Sequence, residues 1–262
     1  MHSSSALVAL ILALVVVTSA IPKPRQNAPE DPEPILRVTT CGGFVEASSA
    51  TIDFQPGGSI RADMRCIWTV RATYDSQRFN LVSSGLSEND GLYVTEYIVI
   101  PGAQQKLTTV GQNYTVGTKT VLVTLSVGHA PTFGFSLQFF SSGSSTNHML
   151  SGHAELVGTR GNFSYPNNGI PYQNYEIALF TISPSIPAQP TLRFTAMALE
   201  SDSLCQYDSV RTFTWFNDQY SQVARICGST IPPSLTLQGG LGLISFTTDS
   251  SITGAGFSFE WE

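Results

Sequence analysis

The sequence predicts an all-β protein made of two tandem β-sandwich domains, and three observations carry that prediction. From Cys41 to Glu262 the apolar residues fall in short alternating runs rich in Val, Thr, Ile, Phe and Tyr, such as Arg78 to Val82, Thr120 to Val127 and Gly134 to Phe140. That is the period of strands lying on a core. Clusters of Gly, Pro, Asn or Ser punctuate the runs, and no stretch of ten or more residues joins a 3.6-residue period to helix caps. The chain also repeats itself. Gly134-Phe135-Ser136-Leu137-Gln138-Phe139 matches Gly256-Phe257-Ser258-Phe259-Glu260-Trp261 at a spacing of 122, and Ile67-Trp68-Thr69-Val70 matches Leu179-Phe180-Thr181-Ile182 at a spacing of 112. Two matches in the same order mean two copies of one domain.

Taken in order, residues 1–20 hold an uncharged apolar run from Ala6 to Val17 followed by Thr18-Ser19-Ala20. Small residues after such a run read as a secretory signal peptide, and the run is shorter than the roughly 20 apolar residues a spanning helix needs. Residues 21–36 carry five prolines, Pro22, Pro24, Pro29, Pro32 and Pro34, and read as a stiff extended linker. The first sandwich is expected over 37–142 and the second over 149–262, joined by the polar spacer Ser141-Ser142-Gly143-Ser144-Ser145-Thr146. Few contacts are expected to cross such a joint.

Composition narrows the function classes. The 262 residues include 13 Lys+Arg against 19 Asp+Glu, a net charge of −6. With no basic run, a surface that tracks phosphates has nothing to be built from, which excludes nucleic acid as a main partner. The hydrophobic share of 42% is enough for a sizeable core. His129, His148 and His153 are the imidazoles beyond residue 20, and neither HExxH nor GxSxG occurs, so the chain reads as non-enzymatic. Cys41, Cys66, Cys205 and Cys227 make an even set in a chain read as secreted, which favours two disulfides. Of three possible pairings, the two-domain division selects Cys41 with Cys66 and Cys205 with Cys227. Asn113-Tyr114-Thr115 and Asn162-Phe163-Ser164 are glycosylation acceptors. Trp68 and Trp261 stand in strand contexts and read as core. Phe213, Trp215, Phe216 and Tyr220 are harder to bury all together, and an exposed contact patch stays open as an alternative.

At this level the residues resemble the CUB domain of extracellular and complement-associated proteins. In the second half, Phe194 to Val210 (FTAMALESDSLCQYDSV) is similar to that family's apolar strand, acid and Cys-x-Tyr-Asp. Arg225-Ile226-Cys227-Gly228 is similar to its basic-apolar-Cys-Gly turn, and Ser245 to Phe257 (SFTTDSSITGAGF) to its Ser/Thr-Asp-x-Ser and Gly-Phe ending. The first half fits through Cys41-Gly42-Gly43, Cys66-Ile67-Trp68 and Gly134-Phe135. The resemblance implies a jelly-roll sandwich of two antiparallel sheets. A full CUB domain carries two disulfides; here Ala178 stands where the second half would have its second cysteine, and Gly91 and its neighbours where the first half would have its third.

Some CUB domains bind calcium, and the resemblance carries that motif onto the second half. Glu200 takes the loop carboxylate, Asp208 the Cys-x-Tyr-Asp carboxylate and Asp249 the third acid, with Ser251 as a backbone ligand and Tyr172 bracing the site. Three converging carboxylates suit a hard cation that takes six to eight oxygens. The first half acts as a control: aligned on the 122-residue spacing and on Tyr93 with Tyr207, it places Val127 opposite Asp249, Val94 opposite Asp208, and Leu86 or Ser87 opposite Glu200. Calcium is therefore expected in the second domain only. Glu88-Asn89-Asp90-Gly91 echoes an EF-hand loop but lacks its ligand alternation and reads as a turn. The expected function is a secreted, non-catalytic binding protein for an extracellular protein or glycan, its calcium-ordered loops taking a Lys or Arg of the partner, with no membrane span. The alternative is a regulator or inhibitor derived from a CUB-containing extracellular protease system. The chain's ending at Trp261-Glu262, right after the last expected strand, favours the first reading.

Overall fold

The computed structural model describes residues 35–145, 150–184 and 188–262. The expected signal peptide, residues 21–34 of the linker, Thr146 and His148 lie outside the described residues. Nineteen strands and no helix make up the rest. The first half holds β1 (Leu36–Val38), β2 (Gly43–Ala47), β3 (Ser49–Ile60), β4 (Arg65–Ala72), β5 (Ser76–Ser84), β6 (Gly91–Tyr97), β7 (Pro101–Lys106), β8 (Asn113–Val116), β9 (Thr120–Ser126) and β10 (Thr132–Ser142). The second holds β11 (Gly152–Val157), β12 (Gly161–Tyr165), β13 (Ile177–Ser183), β14 (Thr191–Ala198), β15 (Ser209–Phe216), β16 (Gln219–Ile226), β17 (Leu235–Thr236), β18 (Gly242–Thr247) and β19 (Gly256–Trp261). Leu36, the last residue assigned to the linker, opens β1.

Four sheets form, and none mixes strands of the two halves. An outer sheet β1-β3-β10-β5-β8 faces an inner sheet β2-β4-β9-β6-β7, and an inner sheet β11-β13-β18-β15-β16 faces an outer sheet β12-β19-β14-β17. The fold is all-β, as expected. The internal repeat falls on matching strands: β10 with β19 as closing strands, β4 with β13 as the second strand of each inner sheet. Each sandwich closes on its own aromatic-rich core. Trp68, Phe54 and Phe135 pack edge to face in the first, Phe180, Phe246 and Phe257 in the second.

A third core lies between the halves. Ile67, Tyr93, Tyr97 and Leu122 of the first inner sheet bury against Leu179, Phe213, Trp215 and Leu243 of the second. Hydrogen bonds stitch its margin: Tyr97 Oη donates to Ser245 Oγ at 2.9 Å, Thr124 Oγ1 meets Tyr220 Oη at 2.7 Å, and Gln104 Nε2 donates to the Asp218 carbonyl at 2.6 Å. The polar spacer suggested a joint that few contacts cross; the sheets beside it supply those contacts instead. Phe213 and Trp215 are buried here and Tyr220 packs against them, while Phe216 remains exposed at 46%. The aromatic group is thus a contact surface turned onto the chain's own first half. Double burial also explains strand composition. Every residue of β9 is buried, because both faces of its sheet are covered, whereas β5 on an outer sheet alternates buried and open.

Candidate metal centre

The loops at one end of the second sandwich bring Glu200, Asp208 and Asp249 together. One carboxylate oxygen from each lies within 4.8 Å of the others, and among the described residues this is the only such group of three or more acids, cysteines or imidazoles. Asp208 directly precedes β15 and is buried, at 1% exposure; Glu200 and Asp249 are half-buried. Asp249 follows β18, which pairs with β15 through Ser209 and Thr247, so the ladder itself sets the two aspartates side by side.

The surrounding hydrogen bonds fix the acids without neutralising them. The Tyr172 hydroxyl donates to Asp208 Oδ2 at 2.5 Å and accepts from the Glu200 amide at 3.1 Å, tying two of the three loops to one buried ring. The Asp249 amide donates to Asp208 Oδ1 at 3.0 Å, and the Ser251 amide to Asp249 Oδ1 at 2.8 Å. The Tyr175 amide donates to the Asp249 carbonyl at 2.8 Å. Among the described residues no Lys or Arg forms an ion pair with these three acids. Burial pushes the Glu200 carboxyl above its usual range, and Asp249, Asp208 and Asp202 push in the same sense. Burial and the Asp208 carboxylate likewise raise the Tyr172 hydroxyl, so it stays a donor. Glu200 Oε2 is shielded from solvent and has no hydrogen-bond partner. Three repelling acids with one orphaned oxygen fit a hard divalent cation.

The loop carrying Glu200 is anchored on both sides. The Gly228 amide donates to the Glu200 carbonyl at 3.1 Å, and the Cys205–Cys227 disulfide closes the loop behind it, as Cys41–Cys66 does at the start of the first half. Asp202, which sequence reading passed over, accepts from the Leu204 and Gln206 amides at 3.2 and 2.8 Å and shapes the same loop. Its signal was its place three residues before a cysteine in an otherwise apolar-poor turn.

The registers correct the alignment of the first half. Gly91 pairs with Ser126 as Ser209 pairs with Thr247, so Asp90, not Val94, stands opposite Asp208, and Gly128, not Val127, opposite Asp249. The same strand pairing repeats one hydrogen bond: Gly128 N donates to Asp90 Oδ1 at 2.8 Å where Asp249 N donates to Asp208. Aligning the tyrosines had displaced this loop by four residues. Asp90 is buried, and although burial alone would raise its carboxyl, hydrogen bonds from the Gly128 amide and from Ser87 hold it below its usual range. It is a fully partnered turn acid with no second carboxylate beside it.

Other expected sites are placed as follows. Asn113 on β8 and Asn162 on β12 are both exposed. His129 Nδ1 meets Asp63 Oδ1 at 2.8 Å, and His153 stacks on Phe44 with ring centroids 3.6 Å apart.

A family model described as CUB domain matches residues 152–261. Exoskeleton protein RP43 of Riftia pachyptila is 31% identical over 53% of this chain and 32% of its own length, and Procollagen C-endopeptidase enhancer 1 of Homo sapiens is 31% identical over 49% and 29%. The chain thus spans a third or less of the length of these curated relatives. The solved CUB1-EGF-CUB2 domain of human MASP-1/3 aligns with 82% of this chain and 99% of that one, at 17% identity and a TM-score of 0.38.

Proposed function

We propose, from the match of residues 152–261 to the CUB-domain family model, that this chain is a secreted, non-catalytic recognition protein whose second domain binds calcium and, through it, a basic side chain of an extracellular partner. The convergence of Glu200, Asp208 and Asp249 within 4.8 Å carries the reading. Calcium would take one oxygen from each, with Ser251 and waters completing the shell, while Tyr172 holds the inner two ligands in register. The cation offsets the burial and the mutual repulsion that together raise Glu200, and fixes the loops. A Lys or Arg then meets an already ordered carboxylate in a charge-assisted hydrogen bond, without the cost of ordering the loop. The exposed Asn113 and Asn162 are glycan acceptors on this reading. The enhancer named among the relatives supports a second reading, regulation of an extracellular protease.

The test is a thermal melt of the whole chain in calcium and in chelator. At about ten times its dissociation constant, a ligand of the native state alone stabilises by roughly 1.4 kcal/mol, or about 3–6 °C in a unit of this size. Asp249→Asn should remove that increment. Asp90→Asn should lower stability but leave the increment intact, since Asp90 belongs to a closed turn. Equal melting temperatures in calcium and chelator would show three solvated loop acids instead.

A further inference from the structure

The two halves correspond strand for strand with one exception. Inner sheet β2-β4-β9-β6-β7 matches β11-β13-β18-β15-β16, and outer sheet β3-β10-β5-β8 matches β12-β19-β14-β17; among the described residues β1 has no counterpart. In the first half β1 pairs parallel with β3, setting Leu36, Arg37 and Val38 opposite Ala50, Thr51 and Ile52. It also lies against β2, so three residues close the seam between the two sheets, and Val38 packs onto the core. Register gives the matching positions. Phe139, Gln138 and Leu137 pair with Ala50, Thr51 and Ile52 just as Trp261, Glu260 and Phe259 pair with Gly161, Asn162 and Phe163. Among the described residues nothing pairs with β12 on its outer side; it ends its sheet.

The seam is correspondingly open. A groove runs between β11 and β12, lined by Gly152, His153, Phe163, Tyr165 and Phe180. Phe163 and Tyr165 are only half-buried there, although both rings pack on Phe180, at 4.7 and 5.0 Å between centroids. A strand edge offers a row of unpaired amides and carbonyls, and extended peptides add to such edges, with pockets beneath reading alternate side chains.

We infer that the β12 edge is a docking site for an extended segment of a partner protein, added parallel to β12 as β1 is to β3, with apolar side chains two residues apart. The segment the chain already uses on the matching edge defines that chemistry. Its Val38 position would sit over Phe163 and close the seam. Its middle residue is free: Ser164 stands where Asp53 binds Arg37 in the first half, so no basic side chain is required. The Gly161–Phe163 edge lies on β12, outside the loops that carry Glu200, Asp208 and Asp249, and docking there does not depend on calcium.

The test uses the whole secreted chain bearing Asn162→Gln, so that no glycan covers the edge, and a capped peptide of the chain's own residues 34–39. At about 1 mM peptide, hydrogen exchange should slow in 161–165, and Val38→Asp in the peptide should weaken binding about tenfold. N-methylating the Leu36 and Val38 amides, or the Arg37 amide alone, should have unequal effects, because alternate amides of a strand face its neighbour. Absence of protection in 161–165, protection confined to Ala50–Ile52, or equal effects of the two methylation patterns would overturn the assignment. So would a concentration-dependent dimer abolished by Leu36→Asp with Val38→Asp, which would make a second copy the occupant.

Discussion

Trp215 offers the sharpest probe of the core between the halves, because its environment makes opposite demands on size and polarity. It is 2% exposed, between Tyr93 at 5.1 Å and Tyr220 at 4.9 Å, yet its indole nitrogen is buried without a hydrogen-bond partner. Trp215→Ala removes the largest side chain of the contact and should cost about 3–5 kcal/mol. Trp215→Phe keeps most of the ring. It gives up roughly 40 Å² of apolar area, about 1 kcal/mol, and removes an unsatisfied donor whose burial costs about 1–3 kcal/mol. The phenylalanine variant should therefore match or exceed the parent, while the alanine variant falls well below it. Urea unfolding followed by circular dichroism measures both, and the parent should show one transition because each half's inner sheet relies on the other. If Trp215→Ala costs less than about 1 kcal/mol, or if Trp215→Phe is as harmful as alanine, the sheets are not packed on each other as described.

Two further outcomes are accessible with the same material. Glu155 on β11 lies beside Gly42 with Oε1 buried and unpartnered, and burial raises its carboxyl. A carboxyl raised in the folded state contributes stability below its unfolded pKa that is lost as pH rises through the folded one. Glu155→Gln should thus stabilise at pH 7 and be neutral below about pH 4; a larger gain in acid than at neutrality would refute the burial. Non-reducing peptide mapping should give Cys41–Cys66 and Cys205–Cys227. Replacing Cys205 and Cys227 by Ser together should cost about 3 kcal/mol for a loop of this length, and under the proposed function calcium affinity should fall because the Glu200 loop loses its tie.

Alternation and punctuation made the strands legible, since outer-sheet strands such as β5 bury every second residue. Packing of the halves was written in the same rows but less openly. Thr120 to Val127 and Ile177 to Ser183 run almost unbroken in buried residues, and such runs belong to sheets covered on both faces. A polar spacer of six residues drew attention instead, although a flexible joint does not forbid contact between the sheets it connects. The acid positions were readable because motif residues fix them locally. Asp90 was not, because its role comes from strand register, which shifts by several residues when tyrosines rather than ladder partners are aligned.

The division of surfaces between the halves follows from which faces the fold consumes. Each half spends the same inner sheet on the contact, so Leu179, Phe213 and Leu243, which would otherwise offer an apolar face to a partner, are buried. What the second half still presents is its loop end and its outer edge. The first half presents neither: Asp90 closes its loop end with amides from within the chain, and β1 covers its edge. An unpaired edge is a liability for aggregation unless it is shielded or used. On β12 the sequon asparagine sits in the middle of that edge, where a glycan would shield it and where its absence would leave it open to a guest. On the proposed reading, recognition by this chain is concentrated in residues 152–261, with the first half acting as the support that holds their inner sheet dry.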